Sequence, residues 1–315
     1  MSIPRSVVVL GGSGFIGQAV VPAAVAAGIH VLAVARSDTS AAIVAALGAH
    51  PVRGDVGSPS GWMAQCAGTD AMVDLTQPDV PARVTVRAIG RMAESRVAMT
   101  RAMLEALATL SPSMRPLWIS VSGTDDLLPD SSGVLSSRSG LRSAPRGFAH
   151  IGLPVRAAIE ASNVDATFVY LGQMVYGPGK SYASFVVDGL RTGKAKMVGA
   201  RNNTLPLTHV DDAAAALVHL LGRDRRELVG RTIVAVPATG AIQRELFALT
   251  AAALGRPVPG SVPTTLAALV AGRVSAQVMT LDARCDPDPL TATGFTFHHE
   301  TVESGVAASL AVMTA

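Results

Sequence analysis

The chain has 315 residues, 49% hydrophobic and 16% charged, a balance that builds packed cores and excludes an intrinsically disordered protein. Mean hydropathy is +0.38, yet no apolar run reaches the roughly 18 residues of a membrane span: residues 20–27 end at Gly28 and residues 213–221 are broken by His219, so a cytoplasmic protein without a membrane partner is expected. A net charge of +3 and 4% aromatic residues argue against a nucleic-acid partner, and two cysteines, Cys66 and Cys285, are too few for a disulfide framework or a cysteine metal cluster.

In chain order, residues 7–10 form a short β-branched run that predicts a strand. A glycine-rich turn follows, then a helical stretch over 15–27 that Gly28 closes. Residues 30–35 read as a second strand, 41–47 as a helix and 51–53 as a short third strand. The apolar runs 71–75, 117–121 and 166–170 continue the series, with a long helix predicted over 87–110. Continuous apolar strands separated by amphipathic helices predict an α/β fold, a doubly wound parallel sheet of Rossmann type covered on both faces. Residues 123–150, rich in Ser, Gly, Pro and Arg, show no period and read as a long functional or mobile loop. Beyond residue 173 the pattern is mixed and broken by prolines, among them Pro178, Pro206, Pro237 and Pro263. The expected division is a dinucleotide-binding domain over 1–172 that also receives about 205–236, and a small substrate-binding lobe over 173–315.

The turn after the first strand reads GGSGFIG. Gly11, Gly14 and Gly17 lie three apart, with Ser13, Phe15 and Ile16 between them. Glycine lets the backbone turn tightly and approach a pyrophosphate, and the helix that follows offers free N–H groups with a positive partial charge. At the end of the second strand, where an acidic residue would accept the ribose 2′-hydroxyl, the chain has Ala35, Arg36 and Ser37. A guanidinium there suits a 2′-phosphate, so the expected cofactor is NADP(H). Asp55 and Val56 follow the third strand where a turn would meet adenine. Leu75 and Thr76 follow the fourth, at the edge where open sheets bind ligands.

GGSGFIG, RGDV at 53–56, ESRVAMTRAMLEAL at 94–107, MVYGPG at 174–179, LPLTHVDDAAAALVHLL at 205–221 and TGFTFHHETVESGVAASL at 293–310 occur in one order. With them the chain resembles the extended short-chain dehydrogenase/reductases, the NAD-dependent epimerase/dehydratase group, along essentially its whole length. The resemblance implies a Ser/Thr, Tyr and Lys catalytic set. Ser122, in WISVSG, falls on the serine position. Counting back from Glu160 places Gly152 at the tyrosine and Arg156 at the lysine, so the Tyr-x-x-x-Lys pair is absent. Glycine cannot exchange a proton and arginine cannot act as a base, although Arg156 remains a candidate for the nicotinamide ribose. Glycine at 152 also implies open space where a phenol would stand.

Three residues are carried as catalytic candidates: Ser122, His150 beside the missing tyrosine, and Tyr176, read first as packing or pocket lining. Gln173, where the strand end approaches the nicotinamide in the family, is a cofactor candidate. Asp125 and Asp126 rank below Ser122, because an Asp pair in a turn is usually solvated. His209, Asp211 and Asp212, like His298 with His299, offer no third ligand at metal spacing, so no metal is expected. The reading is an NADP(H)-dependent reductase of a small organic molecule, with a homodimer as its candidate assembly. Two alternatives stand beside it: redox-neutral cyclase, isomerase or lyase chemistry, and a non-catalytic NADP(H) sensor. With 23 arginines against three lysines the composition has a GC-rich bacterial style, to which secondary metabolism is attached as an expectation.

Overall fold

A computed structural model describes residues 6–81 and 83–314. Seven strands form one sheet: β1 (Ser6–Leu10), β2 (His30–Ala35), β3 (His50–Arg53), β4 (Ala71–Asp74), β5 (Leu117–Gly123), β6 (Ala166–Leu171) and β7 (Thr232–Ala235). Their order across the sheet is β7-β6-β5-β4-β1-β2-β3 and every pairing is parallel. The chain winds outward from β1 to β3 and then returns to place β4 on the other side of β1. That reversal opens a crevice at the carboxyl ends of β1 and β4, where doubly wound sheets bind ligands.

Burial on both faces explains the unbroken apolar strands. In β1, Val8 and Leu10 enter the core beneath α3 (Val86–Ala108) and α4 (Ala149–Glu160), while Val7 and Val9 enter the opposite core. Helices α1 (Gly17–Ala26), α2 (Asp38–Ala46) and α5 (Val210–Leu221) cover that second face, with α5 packed along α1. A third core, around Tyr176, Tyr182, Leu205, Leu246 and Phe247, belongs to the segments beyond residue 173. Among the described residues no helix is long and apolar enough to cross a membrane.

Residues 123–150 are more ordered than their composition suggests. A turn of 3-10 helix covers Thr124–Asp126, Leu127 bridges Leu141, and Val134–Leu135 pairs in parallel with Arg284–Cys285. Leu127 and Leu135 are fully buried. Two apolar anchors and a strand pairing to a distant segment hold this loop, and neither leaves a local period to read.

Candidate functional site

The glycine turn is built by contact as much as by conformation. Gly11 has φ +78°, and a Cβ on it would stand 3.0 Å from the Leu75 carbonyl oxygen. A Cβ on Gly17 would fall 2.3 Å from the Gly11 oxygen and 2.5 Å from that of Gly12, so the first turn of α1 closes on the loop only with glycine there. Gly14 is exposed and Ser13, Phe15 and Ile16 half-exposed, leaving the mouth of α1 open. The edge of the Phe15 ring rests against Gly177 and Gly179, joining this loop to the segment after β6.

The other cofactor candidates lie on the same rim. Arg36 is exposed after β2 and, among the described residues, its side chain has no partner. Ser37 caps α2 in a reciprocal pair with Ser40, accepting from the Ser40 amide at 3.1 Å. Asp55 closes its own turn by accepting from the Gly57 amide at 2.7 Å, and Val56 packs against the core beside it. Leu75 and Thr76 follow β4, and Gln173 follows β6. The rim also gathers unsatisfied polar atoms: Thr76 Oγ1, Thr124 Oγ1, Asp126 Oδ1 and Gln173 Oε1 are buried without a hydrogen-bond partner. Such atoms are costly to leave unpaired, and their grouping beside a glycine cradle is what a polar ligand would satisfy. The residues present fit a dinucleotide.

Next to this cradle a cavity of about 50 Å³ lies between β5, β6, α3 and α4, lined by Thr76, Ser122, Asp126, Phe148, Gly152 and Tyr170 among others. Here the expectations need correction. The space at Gly152 is occupied: a Cβ there would lie 2.1 Å from Asp126 Oδ2 and 2.3 Å from Oδ1. Asp125 and Asp126 are not solvated; they are 5% and 1% exposed. Ser122 Oγ donates to Asp126 Oδ2 at 2.7 Å. Asp125 accepts from the Phe148 and Ala149 amides, at 2.5 and 3.1 Å, where α4 begins. Gly123 and Gly147 leave room for the Asp125 carboxyl, as Gly152 does for Asp126.

Burial pushes Asp125 up to about 6, against those two amides and the charge of Arg142. Asp126 is raised well above the ordinary carboxylate range, first by burial and then by the Asp125 charge; the Ser122 hydroxyl, Arg156 and Arg142 oppose the shift. The sequence does place Asp126 four residues after Ser122, but which side chain fills a glycine's empty space is a tertiary fact.

Arg156 lines the same cavity, held by the side chains around it. Its guanidinium packs over the Phe168 ring at 4.2 Å and donates to Glu160, to Tyr170 Oη at 2.9 Å and to Thr232 Oγ1 at 3.1 Å. His150 is the second residue of α4, about 200° around the helix from Gly152, and does not line the cavity. Tyr176 is also elsewhere. It is 3% exposed, packs edge-on against Tyr182 and His209, and its hydroxyl abuts Gly305 of the C-terminal helix.

Two further groupings were not legible in the sequence. Arg96 of α3 is buried, with Nη2 2.5 Å from Asp74 Oδ2 at the end of β4 and Nε donating to the Thr76 carbonyl, so it fixes the segment leaving β4. His209, Asp211 and His299 converge, with ligand atoms within 4.8 Å of one another. The His209 Nδ1 lone pair, however, accepts from the Asp211 amide, and burial with the neighbouring His299 pulls His209 down to about 4. Asp212 accepts from the His298 and His299 amides, so this cluster fastens the C-terminal segment onto α5.

Comparison with known proteins agrees with this construction. Residues 11–202 match a family described as NAD(P)H-binding. No match is found among curated proteins. Among solved structures, the human epimerase family protein SDR39U1 (isoform 2) with NADPH superposes with a TM-score of 0.78 at 22% identity, covering 96% of this chain and 98% of that one. UDP-glucuronic acid 4-epimerase from Bacillus cereus, in complex with UDP-glucuronic acid and NAD, gives 0.76 at 14% identity, over 98% and 99%. DesIV, a dTDP-glucose 4,6-dehydratase from Streptomyces venezuelae with NAD and TYD bound, gives 0.76 at 18% identity, over 97% and 96%. The chain belongs to the NAD(P)H-binding family and shares the fold of these solved structures.

Proposed function

We propose that the protein is an NADP(H)-dependent oxidoreductase that reduces a small organic molecule and works without the Tyr-x-x-x-Lys pair of its family. The observation that carries this reading is the adjacency of two features: the glycine cradle, and a cavity in which Ser122 alone keeps its place from the family's set. The loop from Gly11 to Gly17 would hold the pyrophosphate, with Arg36 at the ribose 2′-position and Gln173 and Thr76 at the nicotinamide end. When bound, the cofactor supplies a hydride. Ser122 presents a hydroxyl to the substrate oxygen, and the apolar walls, Phe148, Ile151 and Phe168, limit water beside it. NADPH in the human structural relative favours the same cofactor here.

Binding and turnover test the proposal together. Arg36→Asp replaces a charge-assisted contact with repulsion and should weaken NADPH binding by about 2 to 4 kcal/mol, while NADH binding changes far less. Equal affinity for both dinucleotides before and after the substitution refutes the role of Arg36. Consumption of NADPH with a panel of carbonyl, imine and quinone compounds, followed by absorbance, supports a reductase. Turnover without change in the cofactor's absorbance replaces it with redox-neutral chemistry, and binding without any turnover replaces it with a sensor.

A further inference from the structure

We infer that Asp126 takes over the missing tyrosine's task, holding the proton that Ser122 delivers to the substrate oxygen. The inference rests on the reductase reading and deepens it.

Four observations bear on one carboxyl. Asp126 fills the space that a side chain on residue 152 would need. Its Oδ2 is hydrogen-bonded to the Ser122 hydroxyl at 2.7 Å, and that serine lines the same cavity. Its Oδ1 is buried with no partner, an arrangement costly for a permanent carboxylate and more tolerable for the carbonyl oxygen of a carboxyl whose proton sits on Oδ2, facing Ser122. It also lines the cavity rather than closing a surface turn. Asp125 beside it cannot serve equally, because the α4 amides already occupy its Oδ2.

The charged and titratable groups around Asp126 come from four directions. Asp125 is on its own turn, Arg142 is on the following loop, Arg156 is on α4 and Tyr170 is on β6. Asp125 raises the affinity of Asp126 for a proton, and the two arginines lower it. The phenol of Tyr170 is held by Arg156 and is pushed above its usual range by burial and then by Asp126, which makes it the poorer proton source.

In the reducing direction the carbonyl carbon gains the hydride and the C=O π pair passes to oxygen. The Ser122 hydroxyl turns from Asp126 Oδ2 to the substrate oxygen, which takes its proton; Ser122 Oγ takes the carboxyl proton from Asp126 Oδ2 across the 2.7 Å contact, and the carboxylate is reprotonated by water. Hydride and proton add to the carbonyl compound while the reduced nicotinamide is oxidised, so the step balances. Ser122 is then the catalytic residue and Asp126 a positioning residue that acts through it.

The test begins on the protein without added dinucleotide, by carbon-13 NMR titration of its aspartate side chains. One carboxyl should keep its proton into the neutral range, disappear from the spectrum in Asp126→Asn, and titrate higher in Ser122→Ala, which removes its donor. An Asp126 ionised across the neutral range overturns the inference. With a reducible carbonyl compound and NADPH, Asp126→Asn should lower kcat on the order of 100-fold and flatten the limb of the pH profile that reports the acid. Wild-type kcat in Asp126→Asn overturns the inference, as does loss of that limb in Tyr170→Phe instead. An absence of NADPH oxidation beside the expected titration overturns the reductase reading and with it the delivery of this proton to a carbonyl. NADPH oxidation with an ionised Asp126 leaves the reductase standing and removes the relay.

Discussion

Gly152→Ala adds a single methyl group to α4, and the structure gives that methyl an unusual cost. At an unobstructed helix position the change would stabilise by about 1 kcal/mol, because glycine is that much poorer than alanine in a helix. Here the new Cβ would lie 2.1 and 2.3 Å from the Asp126 oxygens and 2.5 Å from Cγ, distances that real side chains do not tolerate. Asp126 is 1% exposed and cannot swing to solvent, so it retreats only by giving up its bond to Ser122 or by shifting α4. Overpacking of this kind costs about 1 to 3 kcal/mol, and a hydrogen bond to a buried acidic group adds roughly 1.5 kcal/mol. After the helical gain is subtracted, the variant should be about 1.5 to 3.5 kcal/mol less stable, with Tm lower by roughly 3 to 10 °C. Urea and thermal unfolding at neutral pH measure it. The control is the same substitution in an Asp126→Ser background, where the methyl has room; there it should be neutral or stabilising by up to about 1 kcal/mol. A coupling near 2 kcal/mol between the two sites is therefore expected. Stabilisation by Gly152→Ala alone, or an equal effect in both backgrounds, refutes the placement of Asp126 in the tyrosine's space.

Gly90→Ala, on an open face of α3 where a Cβ meets nothing within 4 Å, should stabilise by about 0.5 to 1 kcal/mol in the same unfolding assay. Gly17→Ala drives its Cβ into two backbone oxygens and should abolish dinucleotide binding measured by calorimetry; retained affinity would show that the cradle is not the binding loop. Arg96→Ala strands the buried Asp74 carboxylate and should destabilise by about 3 to 5 kcal/mol, with Arg96→Ala/Asp74→Ala recovering part of the loss. For Asp126→Asn the sign follows from the raised carboxyl. The wild-type group contributes fully below the unfolded carboxylate value and loses that contribution as pH rises through its folded value, whereas asparagine does not titrate. The variant's Tm relative to wild type should therefore climb as pH rises above the ordinary carboxylate range; a flat or falling difference counts against a proton-holding Asp126.

The fold was largely legible in the sequence because its signals are local and repeated. Unbroken apolar strands such as residues 7–10 mark a sheet buried on both faces, and the glycines of GGSGFIG mark a tight turn that at Gly11 and Gly17 closes only without a side chain. Arg36 and Ser37 are placed at the rim simply by ending β2. The chemistry beside the cradle was legible only as a loss: the sequence shows that residue 152 has no phenol and residue 156 no lysine. What stands in their place was decided by tertiary structure. Burial turned a loop aspartate pair into an enclosed one, because Leu127 and Leu135 pin the loop and the α4 amides hold Asp125. The same packing turned Arg156 toward Phe168 and Thr232, and carried Tyr176 and His150 out of the cavity. Sequence spacing fixes what a residue can do within one helix or strand. Whether a carboxyl meets water or the missing side chain of a glycine depends on contacts between segments far apart in the chain, and those arise only when the core closes.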